Sequence, residues 1–460
     1  MESSLTVIIL GAGLGTRMKS KTAKVLHRAG GLTLIEHVVR AARAVAPAER
    51  ILVVIGHQAE TVRQVLDSSG VRFVVQEEQL GTGHAVMKCR DAAPPDGLTA
   101  ILYGDAPLLS AETLGRLVDA HRSRKAAATV LTTELDDPSG YGRILRDDAG
   151  QVAAIVEHRA ATEEIRRIRE INSGIYCFSS ELLWRYLGRI GTDNPVGEYY
   201  LTDIVGILRQ AGHPVVPLLL ENPEELLGIN TRQELAEVDR ILRQRTARRL
   251  MLEGVTIEKP ETVLIDPDVT VGADTILEPF VRLRGETAIG SDCRVGACSL
   301  IEDSALADGV VVEPFTLIVS SKVQSGARIG PYARLRPGTV VEAGAHIGNF
   351  VELKKTRLGK GSKANHMAYL GDSEIGENVN VGAGTITCNY DGIHKHQTVI
   401  RDGAFIGSNA TLVAPVEVGA GSYVGAGSVI TERVPEDALA LGRSRQVTKD
   451  GWAAKRRPKP

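Results

Sequence analysis

The 460-residue chain is poor in aromatic residues and in cysteine: 4% of it is Phe, Trp or Tyr, and five residues are Cys. Those five, Cys89, Cys177, Cys293, Cys298 and Cys388, are odd in number and nowhere form a CxxC pair. That excludes the common zinc-ribbon and dithiol motifs and fits a reducing cytoplasm better than a disulfide-built secreted fold. An excess of one charge is also missing, since 54 Lys and Arg stand against 56 Asp and Glu. The balance argues against a general nucleic-acid-binding surface but leaves room for a local basic pocket around a phosphorylated small molecule. No apolar run approaches the roughly 20 residues that span a bilayer. The opening "MESSLTVIIL" is acidic where an export signal would be basic. The expectation is a cytoplasmic protein with no membrane or nucleic-acid partner.

What the chain has in quantity is glycine, and the pattern around it divides the sequence in two. Through about residue 228, short apolar runs alternate with helical patterns: "LTVIIL", "LIEHVVRAARAV", "ILVVIG", "ETVRQVL", "VRFVVQ", "LTAILYGD". This alternation predicts an α/β domain, a mostly parallel sheet covered by helices. Ligands of such sheets sit beyond the carboxyl ends of the strands. Gly11, Gln76 and Asp105 each follow an apolar run and so fall there. From Asn230 the texture becomes that of one long connecting helix. Thr231 and Glu234 form a capping box, and Leu235, Val238, Ile241 and Leu242 make one stripe.

Beyond the helix an aliphatic residue recurs every six positions: Leu277, Leu283, Ile289, Val295, Ile301; Val323, Ile329, Leu335, Val341, Ile347; Ile406, Leu412, Val418, Val424, Ile430. A period of six is neither helical nor simply alternating. It is the hexapeptide pattern of a parallel β-helix, in which one aliphatic side chain per flat face fills the axial core. So narrow a core also explains the scarcity of aromatics. The repeat lapses between Ile347 and Ile375 and again between Val381 and Ile406, and both lapses are expected to be loops inserted on the outside of the solenoid. The predicted division is therefore an α/β domain at 1–229, a connecting helix at 230–252, a β-helix at 253–437 and a tail at 438–460. The tail ends in a basic "KRRPKP" expected to be disordered without a ligand or neighbouring subunit.

Directly after the first apolar run comes "GAGLGTRM", residues 11–18. A dinucleotide fingerprint, G-x-G-x-x-G, would place its third glycine one residue later than Gly15, and its acidic partner here could only be Glu36, inside a helix. The glycines let backbone N–H groups approach phosphate oxygens, while Arg17 and Lys24 add charge suited to a triphosphate. An ordinary strand-to-helix turn is the plain alternative. Asp105, followed by Ala106 and Pro107, leaves a hard oxygen of the kind magnesium prefers at the end of a strand, or else caps a turn. In the second half Lys354, Lys355, Arg357, Lys360 and Lys363 crowd together with no acid among them, as in any solvated basic loop. Beside them stand His366 and Tyr369, with Asn389, Tyr390 and Asp391 further on.

"GLGTRM" with Lys24, then "QLGTGHAV", "YGDAPLL", "GYGRI", "IVEH", "INSGIY" and "GIN" occur in the order seen in sugar-1-phosphate nucleotidylyltransferases. With the hexapeptide half behind them, the chain from about residue 5 to residue 452 resembles the bifunctional family that joins N-acetylglucosamine-1-phosphate uridyltransferase to glucosamine-1-phosphate N-acetyltransferase. The resemblance implies a Rossmann-like mixed sheet, a left-handed β-helix and a homotrimer whose solenoids share each acetyltransferase site. It also implies magnesium at the uridyltransferase site and acetyl-CoA as co-substrate. Leu10, Gly11, Ala12, Gly13 and Lys24 would hold the nucleotide phosphates, with Arg17 and Lys24 neutralising charge in the reaction. Gln76, Gly81 and Thr82 would face the uracil, followed by Tyr103, Gly104 and Asp105. Gly142, Glu157, Asn172 and Asn230 would read the sugar, and Asp105 and Asn230 would ligate the metal. In the second half His366 would accept the proton of the sugar amine, a role suited to the range in which histidine titrates. Arg336, Lys354, Tyr369 and Asn380 would bind glucosamine-1-phosphate. Asn389, which would also help orient the amine and the base, would bind acetyl-CoA together with Tyr390, Ser408, Ala426 and Arg443.

The chain departs from the family pattern at Gly11 and Ala23, where alanine and proline are usual, and at Asn365, where glycine is common. Losing the proline leaves Lys24 less rigidly placed, but no charged group is lost and activity is expected to survive. Two other classes compete: a single-function nucleotidylyltransferase with a structural or regulatory solenoid, and a binding scaffold with both sites dead. The His366 and Asn389 segments exceed what a purely structural solenoid needs, and intact Lys24, Asp105, Asn230 and His366 argue against a dead scaffold.

Overall fold

The computed structural model describes residues 4–194 and 196–457. The first three residues of the acidic opening and the last three of "KRRPKP" lie outside the described residues. The chain divides into two compact units between Leu242 and Arg243, inside the helix Arg232–Leu252. No helix among the described residues is long and apolar enough to cross a membrane.

In the first unit the strands Leu5–Leu10, Ile51–Ile55, Arg72–Val75 and Leu98–Tyr103 pair in parallel. Val7, Ile8, Ile9, Ile51, Val53 and Val54 have no exposed surface, as expected of strands covered on both faces. The register sets Leu10 opposite both Val54 and Tyr103, and Ile55 opposite Val75, so these strands end along one edge. The parallel pattern stops at Glu170–Ser179, which runs antiparallel between Leu98–Tyr103 and Ala128–Glu134. It also carries the hairpin Arg143–Arg146 and Val152–Val156 on its side. The sheet is therefore mixed. Glu36, the acid a dinucleotide site would have needed, instead opens the helix Leu34–Arg43: its carboxylate accepts from Thr33 N and Oγ1, both at 2.7 Å. The box at Thr231 and Glu234 closes the same way at the start of the long helix.

The second unit is a left-handed parallel β-helix of three stacked sheets. Each strand pairs with the one a full coil later, as Leu277 with Val295 and Leu283 with Ile301. The sixfold aliphatic residues line its axis in one continuous buried cluster. The first expected insertion is not a loop. Residues 349–372 continue the ladders through the strands Glu352–Lys354, Arg357–Leu358, Lys363–His366 and Tyr369–Gly371. Leu353, Leu358, Ala364, Leu370 and Ile375 are at most 1% exposed. Corners one residue shorter, from Leu353 to Leu358 and from Leu370 to Ile375, interrupt the period without interrupting the coil. The second lapse does hold a loop: residues 389–397 leave the solenoid after the strand Ile386–Cys388 and return at Thr398–Ile400. Leu353→Ala is accordingly expected to destabilise the solenoid by about 2–5 kcal/mol, the loss for a buried leucine. Denaturant unfolding followed by circular dichroism reads this directly, and a negligible change would return the segment to the status of a loop.

Candidate active sites

A cavity of about 410 Å³ opens at the carboxyl edge of the parallel strands. Leu10, Gly11, Ala12 and Gly13 line it from the first loop, Gln76, Gly81 and Thr82 from the second, and Tyr103 and Asp105 from the third. Gln76 is 3% exposed; its amide nitrogen lies 3.2 Å from Gly81 O and 3.0 Å from His84 Nδ1, which fixes how the carboxamide is presented. Gly81 has a φ of +110°, and a Cβ there would lie 2.6 Å from Tyr199 O, so no larger residue fits. Gln79 and Glu198 also line the cavity, although no motif marked them.

Lys24, Asp105, Asn230 and Arg17 form one charged cluster at this cavity. The Lys24 ammonium pairs with the Asp105 carboxylate and lies 3.3 Å from Asn230 Oδ1, which also accepts from Arg17 Nη2 at 2.7 Å. Asn230 is held by its own backbone, whose N–H donates to the Glu234 carboxylate at 2.6 Å. Gly15, the early third glycine, has a φ of +60°; a Cβ there would sit 2.6 Å from Lys24 Cβ. Its position is where the lysine stem passes. The Asp105 and Asn230 oxygens thus converge on one cation, the ammonium, and a hard oxygen pair of this kind fits magnesium shared with substrate phosphates. Among the described residues no cluster of three or more His, Cys, Asp or Glu could hold a metal unaided. Substrate oxygens would have to complete the coordination.

Gly142, Glu157 and Asn172 are neighbours on the antiparallel side of the sheet. A Cβ on Gly142 would lie 3.6 Å from both Asn172 Cβ and Glu157 Oε1. Asn172 donates to the Tyr176 hydroxyl at 2.8 Å, and Glu157 accepts from Thr202 Oγ1 at 3.3 Å. Burial raises the Glu157 carboxyl above its ordinary range and keeps the Tyr103 phenol neutral, with the nearby Glu157 charge reinforcing the latter. Gly104 contributes no side chain but ties two strands together, donating to Leu10 O at 2.9 Å. A Cβ at Gly11 would come within 3.2 Å of Val54 O, so the family's alanine would fit only tightly.

In the β-helix, Arg336, Lys354, Tyr369 and Asn389 gather on the sheet that contains the strands Arg334–Leu335, Glu352–Lys354, Tyr369–Gly371 and Ile386–Cys388, and at the corners after them. Arg336 pairs with Glu352 at 3.0 Å, Lys354 faces Asp372 at 3.8 Å, and Asn389 donates to the same Asp372 carboxylate. Tyr369 is the ladder partner of Glu352. Lys395, which sequence reasoning missed, joins them from the inserted loop. Lys354 beside it lowers its pKa, because the two positive charges oppose each other. Two adjacent ammonium groups mark a place for an anion, but only the fold of the loop brings Lys395 there. His366 stands apart on the sheet that contains the strands His346–Asn349 and Lys363–His366, its Nδ1 2.7 Å from Asn349 Oδ1 one coil below. Asn380 is on that sheet too, opposite Lys363.

The residues expected to hold acetyl-CoA are spread over the later coils. Tyr390 donates to Gly392 O at 2.5 Å within its loop, Gly427 N–H donates to Ser408 O at 2.8 Å, and Ala426 packs over Gly407. Arg443 is exposed and follows the strand Leu439–Ala440. Asn365, beside His366, has a buried Oδ1 with no partner among the described residues.

The family model of the MobA-like NTP transferase domain matches residues 7–251, and that of the bacterial transferase hexapeptide matches residues 397–432. The chain is 57% identical over 458 residues to the bifunctional protein GlmU of Solibacter usitatus, covering 99% of this chain and 98% of the relative. It is 54% identical to the GlmU of Koribacter versatilis (98% and 97% covered) and 48% identical to that of Brevibacillus brevis (98% of each).

Proposed function

This chain belongs to the family of bifunctional GlmU proteins, and we propose that its units carry out successive transfers in UDP-N-acetylglucosamine synthesis. The β-helix moves acetyl from acetyl-CoA to glucosamine-1-phosphate. The α/β unit then joins the product to UMP from UTP, releasing pyrophosphate. The observation that carries the reading is the Lys24, Asp105, Asn230 and Arg17 cluster at the mouth of a nucleotide-sized cavity. Purified protein given glucosamine-1-phosphate, acetyl-CoA, UTP and magnesium should release free thiol and form UDP-sugar. Thiol without UDP-sugar would leave an acetyltransferase alone.

In uridyl transfer a sugar-phosphate oxygen attacks the α-phosphorus of UTP as the bond to pyrophosphate breaks, so the protein's task is alignment and neutralisation. Arg17, Lys24 and the N–H groups of the glycine loop face the triphosphate, Gln76 reads the base edge, and Glu157 and Asn172 receive the sugar. Magnesium held by Asp105 and Asn230 would neutralise charge on the phosphates when bound.

In acetyl transfer His366 takes the proton of the amine as nitrogen bonds to the thioester carbon, and the coenzyme leaves as thiol. The Asn349 amide oxygen can only accept, so Nδ1 carries the hydrogen and Nε2 the lone pair. Asn349→Ala is expected to lower kcat for acetyl transfer about tenfold, with uridyl transfer to supplied N-acetylglucosamine-1-phosphate as the unaffected control. Arg336, Lys354 and Lys395 receive the sugar phosphate, and Asn389 and Tyr390 receive the coenzyme.

His366 and the Arg336–Lys354 group occupy different parts of one solenoid, which supports a site completed by a second copy and hence a homotrimer. Beside His366, exposed Phe315, Tyr332 and Phe350 stack in a ladder, with ring centres 5.0 and 5.2 Å apart. Phe350→Asp is expected to dissociate the assembly and remove acetyl transfer while sparing uridyl transfer. Sedimentation equilibrium checks it, and a monomer with full acetyl transfer would overturn the shared site.

A further inference from the structure

Lys24 lines the nucleotide cavity and pairs there with Asp105, yet the residue before it is not the proline that would stiffen the approach. In this chain the approach is held by a side chain from another loop. Gln58 Oε1 accepts the Ala23 N–H at 2.8 Å, and Gln58 Nε2 donates to Lys21 O at 2.6 Å. One carboxamide therefore clamps both ends of the segment that leads into Lys24. Ala23 is 2% exposed, and the short turn Lys24–Leu26 starts directly after it, with Leu26 N–H donating to Ala23 O at 3.0 Å. A residue fixed at 23 is a residue that fixes Lys24.

Two features set this contact apart from a casual surface hydrogen bond. Gln58 adopts a left-handed backbone, φ 55° and ψ 38°, at the start of the helix Ala59–Val65, a conformation glycine would take with less strain. The strain is accepted at a position where the side chain has partners in a loop 35 residues away. The bond also depends on the departure itself, because proline has no N–H to offer Gln58. Ala23 sits at φ −55°, which a pyrrolidine ring would adopt without change.

We propose that Gln58 is a positioning residue for uridyl transfer: its carboxamide holds Lys21 and Ala23 so that Lys24 meets the triphosphate, the task proline performs by rigidity. The proposal rests on the reading of the cavity as the UTP site. Gln58 touches neither substrate nor metal and acts through the loop alone.

The test is a double-mutant cycle in the full-length protein, with acetyl transfer followed in every sample as an internal control. Gln58→Ala is expected to lower kcat/KM for UTP about tenfold, as for the loss of two loop-fixing hydrogen bonds. The loss should fall mainly on KM for UTP and leave KM for the sugar phosphate in place. Ala23→Pro alone should retain the parent rate. In the Ala23→Pro background Gln58→Ala should then cost less than about twofold, since the ring now fixes what the carboxamide held. A Gln58→Ala variant with parent kinetics overturns the proposal. So does an equal tenfold loss in both backgrounds, which is the mark of general damage to the fold. If the parent protein itself forms no UDP-sugar, it is the reading of the cavity that fails.

Discussion

His366→Ala is expected to reduce acetyl transfer by about 10²–10⁴-fold, the range for removal of a positioned general base, and to leave uridyl transfer to supplied N-acetylglucosamine-1-phosphate at the parent rate. The separation follows from construction. The nucleotide cavity is lined by residues from Leu10 to Glu198, none of them in the solenoid. His366 belongs to a strand of the β-helix, paired with Asn349 in the coil below and held there through Nδ1. The substitution removes an exposed ring and leaves the buried Ala364 and Leu370 of the same coil in place, so unfolding should not confuse the result. The measurement is thiol release from acetyl-CoA against UDP-sugar formation in the same preparation. Equal loss of both activities would undo the two-site reading.

How far such sites are legible in sequence depends on whether chain order or chain folding assembles them. Gly11, Gln76 and Asp105 were legible because each follows a buried strand, and parallel strands must end together at one edge. The sixfold core was legible because each face of the solenoid takes one aliphatic residue. The lapse after Ile347 was misread because a corner shortened by one residue shifts the period from six to five while Leu353, Leu358 and Leu370 stay on the axis. A count of six cannot tell a short corner from an insertion. Lys395 was missed since nothing local distinguishes it from other exposed lysines; only the loop's return brings it to Lys354. Gln58 was invisible for the same reason, its partners lying 35 and 37 residues away. Glu36 shows the converse: an acid near a glycine loop invites a ligand role, and the carboxylate proves to be holding a helix start.

Asp105→Ala is expected to abolish magnesium-dependent UDP-sugar formation, by about 10³-fold or more, while acetyl transfer continues. A metal ion on the transferring phosphates contributes several kcal/mol of transition-state stabilisation, and about 4 kcal/mol corresponds to that factor. Asp105 is the carboxylate that pairs with Lys24 in this cluster, so its loss leaves Asn230 Oδ1 as the remaining member of the assigned oxygen pair. The same substitution releases the Lys24 ammonium from its ion pair. UTP binding measured by calorimetry without metal should therefore persist or tighten even as turnover disappears. This split separates a metal ligand from a residue that merely supports the loop, whose removal would weaken binding and turnover together. Raising magnesium should stimulate the parent enzyme and have no effect on the variant. If UDP-sugar formation by Asp105→Ala still rises with magnesium, the metal is held elsewhere and the Asp105 and Asn230 assignment fails.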